Sequence, residues 1–93
     1  MTDKVLVLTT AGSEAEARKI ANQLVERRLA ACVNIIPRIQ SVYRWEGKVE
    51  TAEEFLLIIK TTKARSTEEA IRELHSYELP ECPKSIRIYF LKS

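Results

Sequence analysis

Apolar positions run along the chain in blocks with two different periods. Residues 4–10, "KVLVLTT", form a short apolar run rich in β-branched side chains, the pattern of a buried strand. Over 14–29 the apolar residues Ala17, Ile20, Ala21, Leu24 and Val25 recur at helical spacing, with Arg18, Lys19, Gln23 and Glu26 outside the stripe. Ser13 followed by Glu16 predicts a capping box at the start of that helix. Arg27 and Arg28 fall in its expected last turn, where the helix dipole favours cations. The stretch 32–47, "CVNIIPRIQSVYRWEG", reads as extended. Val33 and Ile35 alternate, Pro37 predicts a bulge or bend, and Ile39, Ser41, Tyr43 and Trp45 share a face. "EGK" at 46–48 turns the chain, and "VETAEEFLLIIKTT" returns. Its continuous apolar run, 55–59, predicts a strand covered on both faces. "KARSTEEAIRELHSY" is a second helix, with a capping box at Ser66 and Glu69 and with Ala70, Ile71 and Leu74 facing inward. "KSIRIYFLK" reads as a last strand.

The order strand, helix, strand, strand, helix, strand is that of an α+β, ferredoxin-like βαββαβ sandwich. Right-handed crossovers put both helices on one sheet face and make the first and third strands central. Residues 1–93 form one domain. The middle hairpin does not fit inside it. The 16 residues from Cys32 to Gly47 reach roughly 50 Å at ~3.3 Å per residue. A compact chain of this size is only about 30 Å across. A two-stranded ribbon that overhangs is marginal in water, so a partner subunit is expected to cover it.

Charge and composition remove several classes. The 15 basic and 13 acidic residues are interleaved, without the basic block of a nucleic-acid arm or a polybasic membrane patch. No stretch approaches a membrane span, and the start lacks a signal-peptide pattern. Cys32 and Cys82 are therefore expected as free thiols in the cytoplasm. One histidine excludes the common zinc spacings within a single chain. No nucleophile–base spacing marks an enzyme. "TAGSE" (10–14) offers one glycine before a helix start, a weak anion site or simply a turn. His75 at the end of the second helix is most simply a dipole partner. Tyr77 and Pro80 are expected to pack the corner. Lys60, beside five apolar residues, must snorkel, pair, or point into a polar cavity.

"RLAACVNIIP", "SVYRWEGKVE", "EEFLLIIKTT" and "LHSYELPE" together resemble the CutA divalent-cation tolerance family, in order from about residue 5 to residue 81. The resemblance implies a tight homotrimer of ferredoxin-like subunits, arranged like the PII signalling proteins, with hairpins paired to neighbours. It implies a non-enzymatic role in divalent-cation (copper) tolerance, with no obligatory cofactor. Some members bind copper through a first-strand cysteine and the histidine and glutamate of an "HxYxxPE" motif, here His75 and Glu81. The first-strand position is Thr9 in this chain. The implied site thus has nitrogen and oxygen donors, suited to Cu²⁺ or another borderline divalent cation. A PII-like alternative is a small-molecule trimer whose intersubunit cleft holds an anion, with Lys60, Tyr43, Trp45, Tyr77 and Cys32 as candidate lining. A ligand-free trimeric scaffold is the plainest alternative. The C-terminal helix usual in the family has no counterpart before Ser93.

Overall fold

The computed structural model describes residues 4–74 and 87–90, the last four by their backbone alone. In chain order the elements are β1 (Val5–Ala11), α1 (Glu14–Glu26), β2 (Cys32–Trp45), β3 (Lys48–Thr61), α2 (Ala64–Leu74) and β4 (Arg87–Phe90). The sheet order is β2-β3-β1-β4, and the β1–β3, β1–β4 and β2–β3 pairs are all antiparallel. The ferredoxin-like architecture expected from the pattern is therefore present, with β1 and β3 central.

Alternation along β1 sets the two sheet faces. Val5, Val7, Thr9 and Ala11 are buried, while Leu6, Leu8 and Thr10 are half-buried. The buried set joins Leu57 and Ile59 of β3, Ala17, Ile20, Ala21 and Leu24 of α1, and Ala70 and Ile71 of α2 in one core. Both helices thus cover the same face. The opposite face carries Leu6, Leu8, Ile36, Leu56 and Ile58, and neither helix covers it. The expectation that the 55–59 run is covered on both sides fails within one chain. Leu57 and Ile59 are buried, whereas Leu56 and Ile58 keep partial exposure. The described residues form two helices, and their crossovers place both on one side.

The β2–β3 ribbon overhangs. The described residues extend 43 × 26 × 21 Å. β1 pairs with β3 only from Phe55 onward, so among the described residues the ribbon beyond Glu54 has two strands and no more. The expected bulge lies at Pro37. The register shifts between Ile36 and Ile39, so that Pro37 and Arg38 oppose Phe55 alone. Arg38 takes a left-handed backbone, φ 60°. The extra residue reverses the parity of β2. Val33 and Ile35 face the helices, whereas Ile39, Ser41, Tyr43 and Trp45 face the open side with Leu56 and Ala52. The ribbon closes on a two-residue turn, Glu46 at φ 49° and Gly47 at φ 78°, between paired Trp45 and Lys48. Two consecutive positive φ values define the type I′ turn that matches strand twist.

Two helix boundaries differ from the pattern. α1 ends at Glu26, so Arg27 is the C-cap and Arg28 lies beyond the helix at φ 58°. The amide of Arg28 donates to the Val25 carbonyl and that of Leu29 to the Leu24 carbonyl. These are the two bonds of a Schellman stop, whose left-handed position is usually glycine. α2 begins at Ala64, which leaves Ser66 inside the helix rather than at its cap. The Thr61 hydroxyl instead takes the Lys63 amide at 2.9 Å, and the helix starts directly after it.

Candidate functional site

A cleft of about 580 Å³ opens where α1 turns into β2. Its lining is Val25, Arg28, Leu29, Ala30, Ala31 and Cys32 on that side, and Lys4 and residues 60–63 on the other. The chain builds the cleft from three local devices. The Schellman stop turns the chain sharply and brings Arg28 to the cleft. The Ala31 amide then donates to the Lys60 carbonyl at 2.9 Å, which docks the turn onto β3. Lastly, the Leu29 carbonyl accepts both the Thr61 and the Thr67 hydroxyls, each at 2.6 Å. Thr61 and Thr67 are buried, so these bonds form away from water, where leaving the groups unpaired would cost about 1–3 kcal/mol each.

Cys32 and Lys60 face each other across the β2–β3 pair and both line the cleft. Cys32 is a free, half-buried thiol, and Lys60 is exposed. Lys60 stands at the rim of the cleft, on the sheet face it shares with its cross-strand neighbour Leu6. Tyr43 and Trp45 are elsewhere. Tyr43 lies eleven residues along β2 from Cys32, up to roughly 35 Å at ~3.3 Å per residue. Within one chain the candidate lining therefore divides into a Cys32–Lys60 pair and a distant Tyr43–Trp45 pair. His75, Tyr77 and Glu81 lie outside the described residues.

Thr9, at the position where the family resemblance places a cysteine, is buried and turned toward the helices. Its hydroxyl has no hydrogen-bond partner. Among the described residues no group of three histidine, cysteine, aspartate or glutamate side chains is placed to hold a metal ion. The weak anion site expected at "TAGSE" is taken by the chain itself. Ser13 Oγ accepts the Glu16 amide at 3.1 Å, and the Glu16 carboxylate accepts the Gly12 amide at 3.1 Å. The capping box is thus present with its return bond displaced by one residue.

Of the cleft's lining, the sequence names Lys60 and Cys32 but not their companions. Arg28, Lys63, Lys4 and Val25 reach the cleft through tertiary contacts. Periodicity had assigned Arg28 to a helix that stops before it. No described helix is long and apolar enough to cross a membrane.

Fold and site define the class first: a ferredoxin-like α+β domain with an outsized hairpin and a cleft where that hairpin begins. The particular lineage follows from comparison. The sequence matches the CutA1 divalent ion tolerance protein family over residues 5–88. It is 50% identical over 78 residues to the divalent-cation tolerance protein CutA of Thermus thermophilus, covering 82% of this chain and 76% of that protein. It is 44% identical over 79 residues to the chloroplastic CutA of Arabidopsis thaliana, 83% of this chain but only 43% of that one. The crystal structure of CutA from Xylella fastidiosa superposes with a TM-score of 0.90 at 33% identity, covering 99% of this chain and 86% of that chain. The Thermus thermophilus Cut A1 structure gives 0.85 at 40%, covering 97% and 85%. The chain belongs to the CutA1 divalent ion tolerance family.

Proposed function

We propose that the protein acts in divalent-cation tolerance as a non-enzymatic homotrimer that binds Cu²⁺ or another divalent cation near its subunit interfaces, through His75 and Glu81. The observation that carries this reading is the family match, which spans residues 5–88 and so includes both side chains. The threefold assembly is supported by two features of the single chain. Among the described residues the ribbon beyond Glu54 has no third strand, and the sheet face that neither described helix covers carries the half-buried Leu6, Leu8, Leu56 and Ile58. Exposed apolar area of this kind marks association surfaces. A reducing compartment such as the cytoplasm suits the free, half-buried Cys32.

Calorimetric titration of Cu²⁺ and Zn²⁺ into wild type, His75→Ala and Glu81→Gln tests the metal site. Removing one of few ligands should weaken binding at least tenfold in each variant. Equal binding by all three proteins would take both residues out of the site.

A further inference from the structure

The cleft beside Cys32 and Lys60 has a composition that the metal reading does not use. Its described lining contains four cationic residues, Lys4, Arg28, Lys60 and Lys63, and no carboxylate. The chain as a whole is close to balanced, with 15 basic and 13 acidic residues, so this segregation is local. The same lining supplies apolar carbon from Val25, Leu29, Ala30 and Ala31. Val25 is 45% exposed, an apolar residue left at the surface beside the cleft.

Backbone geometry adds a second, independent observation. Arg28 occupies the left-handed position of the helix stop at φ 58°. Glycine would sit there without strain, and a side chain costs about 1 kcal/mol. The chain carries that strain at a residue that lines the cleft, where a glycine would supply no guanidinium. Backbone strain of this kind clusters at ligand sites. The wall behind it is fixed by the two threonine hydroxyls on the Leu29 carbonyl, so the cleft is formed before any ligand arrives.

We propose that this cleft binds a small organic anion with an apolar body, its carboxylate, sulfonate or phosphate held among Arg28, Lys60 and Lys63 and its carbon skeleton on Val25, Leu29 and Ala30. A volume of about 580 Å³ lies in the ordinary range of small-molecule sites, roughly 300–1,000 Å³. An inorganic ion would leave the apolar part unused, and a neutral apolar molecule would leave the cations unused. Every group involved comes from one chain. Tyr43 and Trp45 are not among them.

The test uses the full-length protein and the probe 8-anilinonaphthalene-1-sulfonate, followed by amide chemical shifts. Its neutral counterpart, N-phenyl-1-naphthylamine, is titrated in parallel. The expected result is a set of shifts centred on residues 28–32 and 60–63, with the sulfonate at least tenfold tighter than the neutral amine. Lys60→Gln and Arg28→Gln should each weaken the sulfonate about three- to tenfold, and Lys48→Gln at the ribbon tip should leave it unchanged. Lys60 is exposed, so its substitution does not threaten folding and keeps the test decisive if Arg28→Gln proves unstable. Shifts centred on the ribbon, residues 39–54, equal affinity for the two probes, or indifference to Lys60→Gln would each overturn the proposal.

Discussion

Among the described residues, Thr9 carries the one buried side-chain oxygen that lacks a hydrogen-bond partner. Its neighbours on the same face, Val7 and Leu57 among them, are fully apolar and buried. Its hydroxyl is buried without a partner, and such a group typically costs about 1–3 kcal/mol. Replacing the hydroxyl by a methyl group of similar shape removes that cost. Thr9→Val should therefore raise stability by about 1 kcal/mol. The measurement is the urea midpoint at unchanged slope. A midpoint that falls would mean that the hydroxyl has a stabilising role in the assembled protein. Nothing in "VLVLTT" distinguishes Thr9 from Thr10, since both suit a strand. Only the parity fixed by β1's pairing with β3 places one in the core and the other on the open face.

At the scale of elements, the sequence was most legible where local chemistry and tertiary demand agree. The Ser13 cap, the β-branched run of β1 and the break at Pro37 needed no knowledge of the rest of the chain. The ends of both helices were less legible. The stop after Glu26 lacks its usual glycine, because Arg28 accepts the left-handed backbone. The start of α2 lacks a local cap at Ser66, because a strand residue, Thr61, receives the Lys63 amide. The ribbon tip offers a clean test of local backbone preference. A Cβ on Gly47 would touch nothing within 4 Å, so any cost there comes from φ 78° alone. Gly47→Ala should destabilise by about 1 kcal/mol. Glu46→Asn should gain a few tenths, because asparagine tolerates positive φ and Asn-Gly favours this turn. Chemical denaturation of the two variants checks both signs. An unchanged midpoint for Gly47→Ala would show that the tip is not held in this geometry.

The whole molecule is asymmetric in a way that only pairing reveals. One side of the sheet is packed by helices; the other presents Leu6, Leu8, Leu56 and Ile58, continued along the ribbon by Ile39, Tyr43 and Trp45. The bulge at Pro37 makes this continuity possible by moving the ribbon's apolar side across the sheet. If this surface is where copies meet, Leu8→Glu should dissociate the oligomer while sparing the helix-side core. Light scattering coupled to gel filtration would then give the mass of one chain. An unchanged oligomer mass would place the interface elsewhere. The candidate site was less readable than the fold for a simple reason: a cleft assembled from residues 4, 25, 28–32 and 60–63 has no spacing to recognise.

The Leu29 carbonyl accepts hydroxyls from residues 32 and 38 positions downstream. It joins the turn after α1 to the junction before α2. Neither segment can open alone without stranding the other's polar groups. The amides of Ala31, Lys63 and Thr67, bonded respectively to the Lys60 carbonyl, the Thr61 hydroxyl and the Lys63 carbonyl, should therefore exchange with deuterium at one common rate, as a single cooperative unit. In Thr67→Val all three should speed up together, although only one of them belongs to the altered residue. Acceleration confined to Thr67 would show that the two junctions breathe independently.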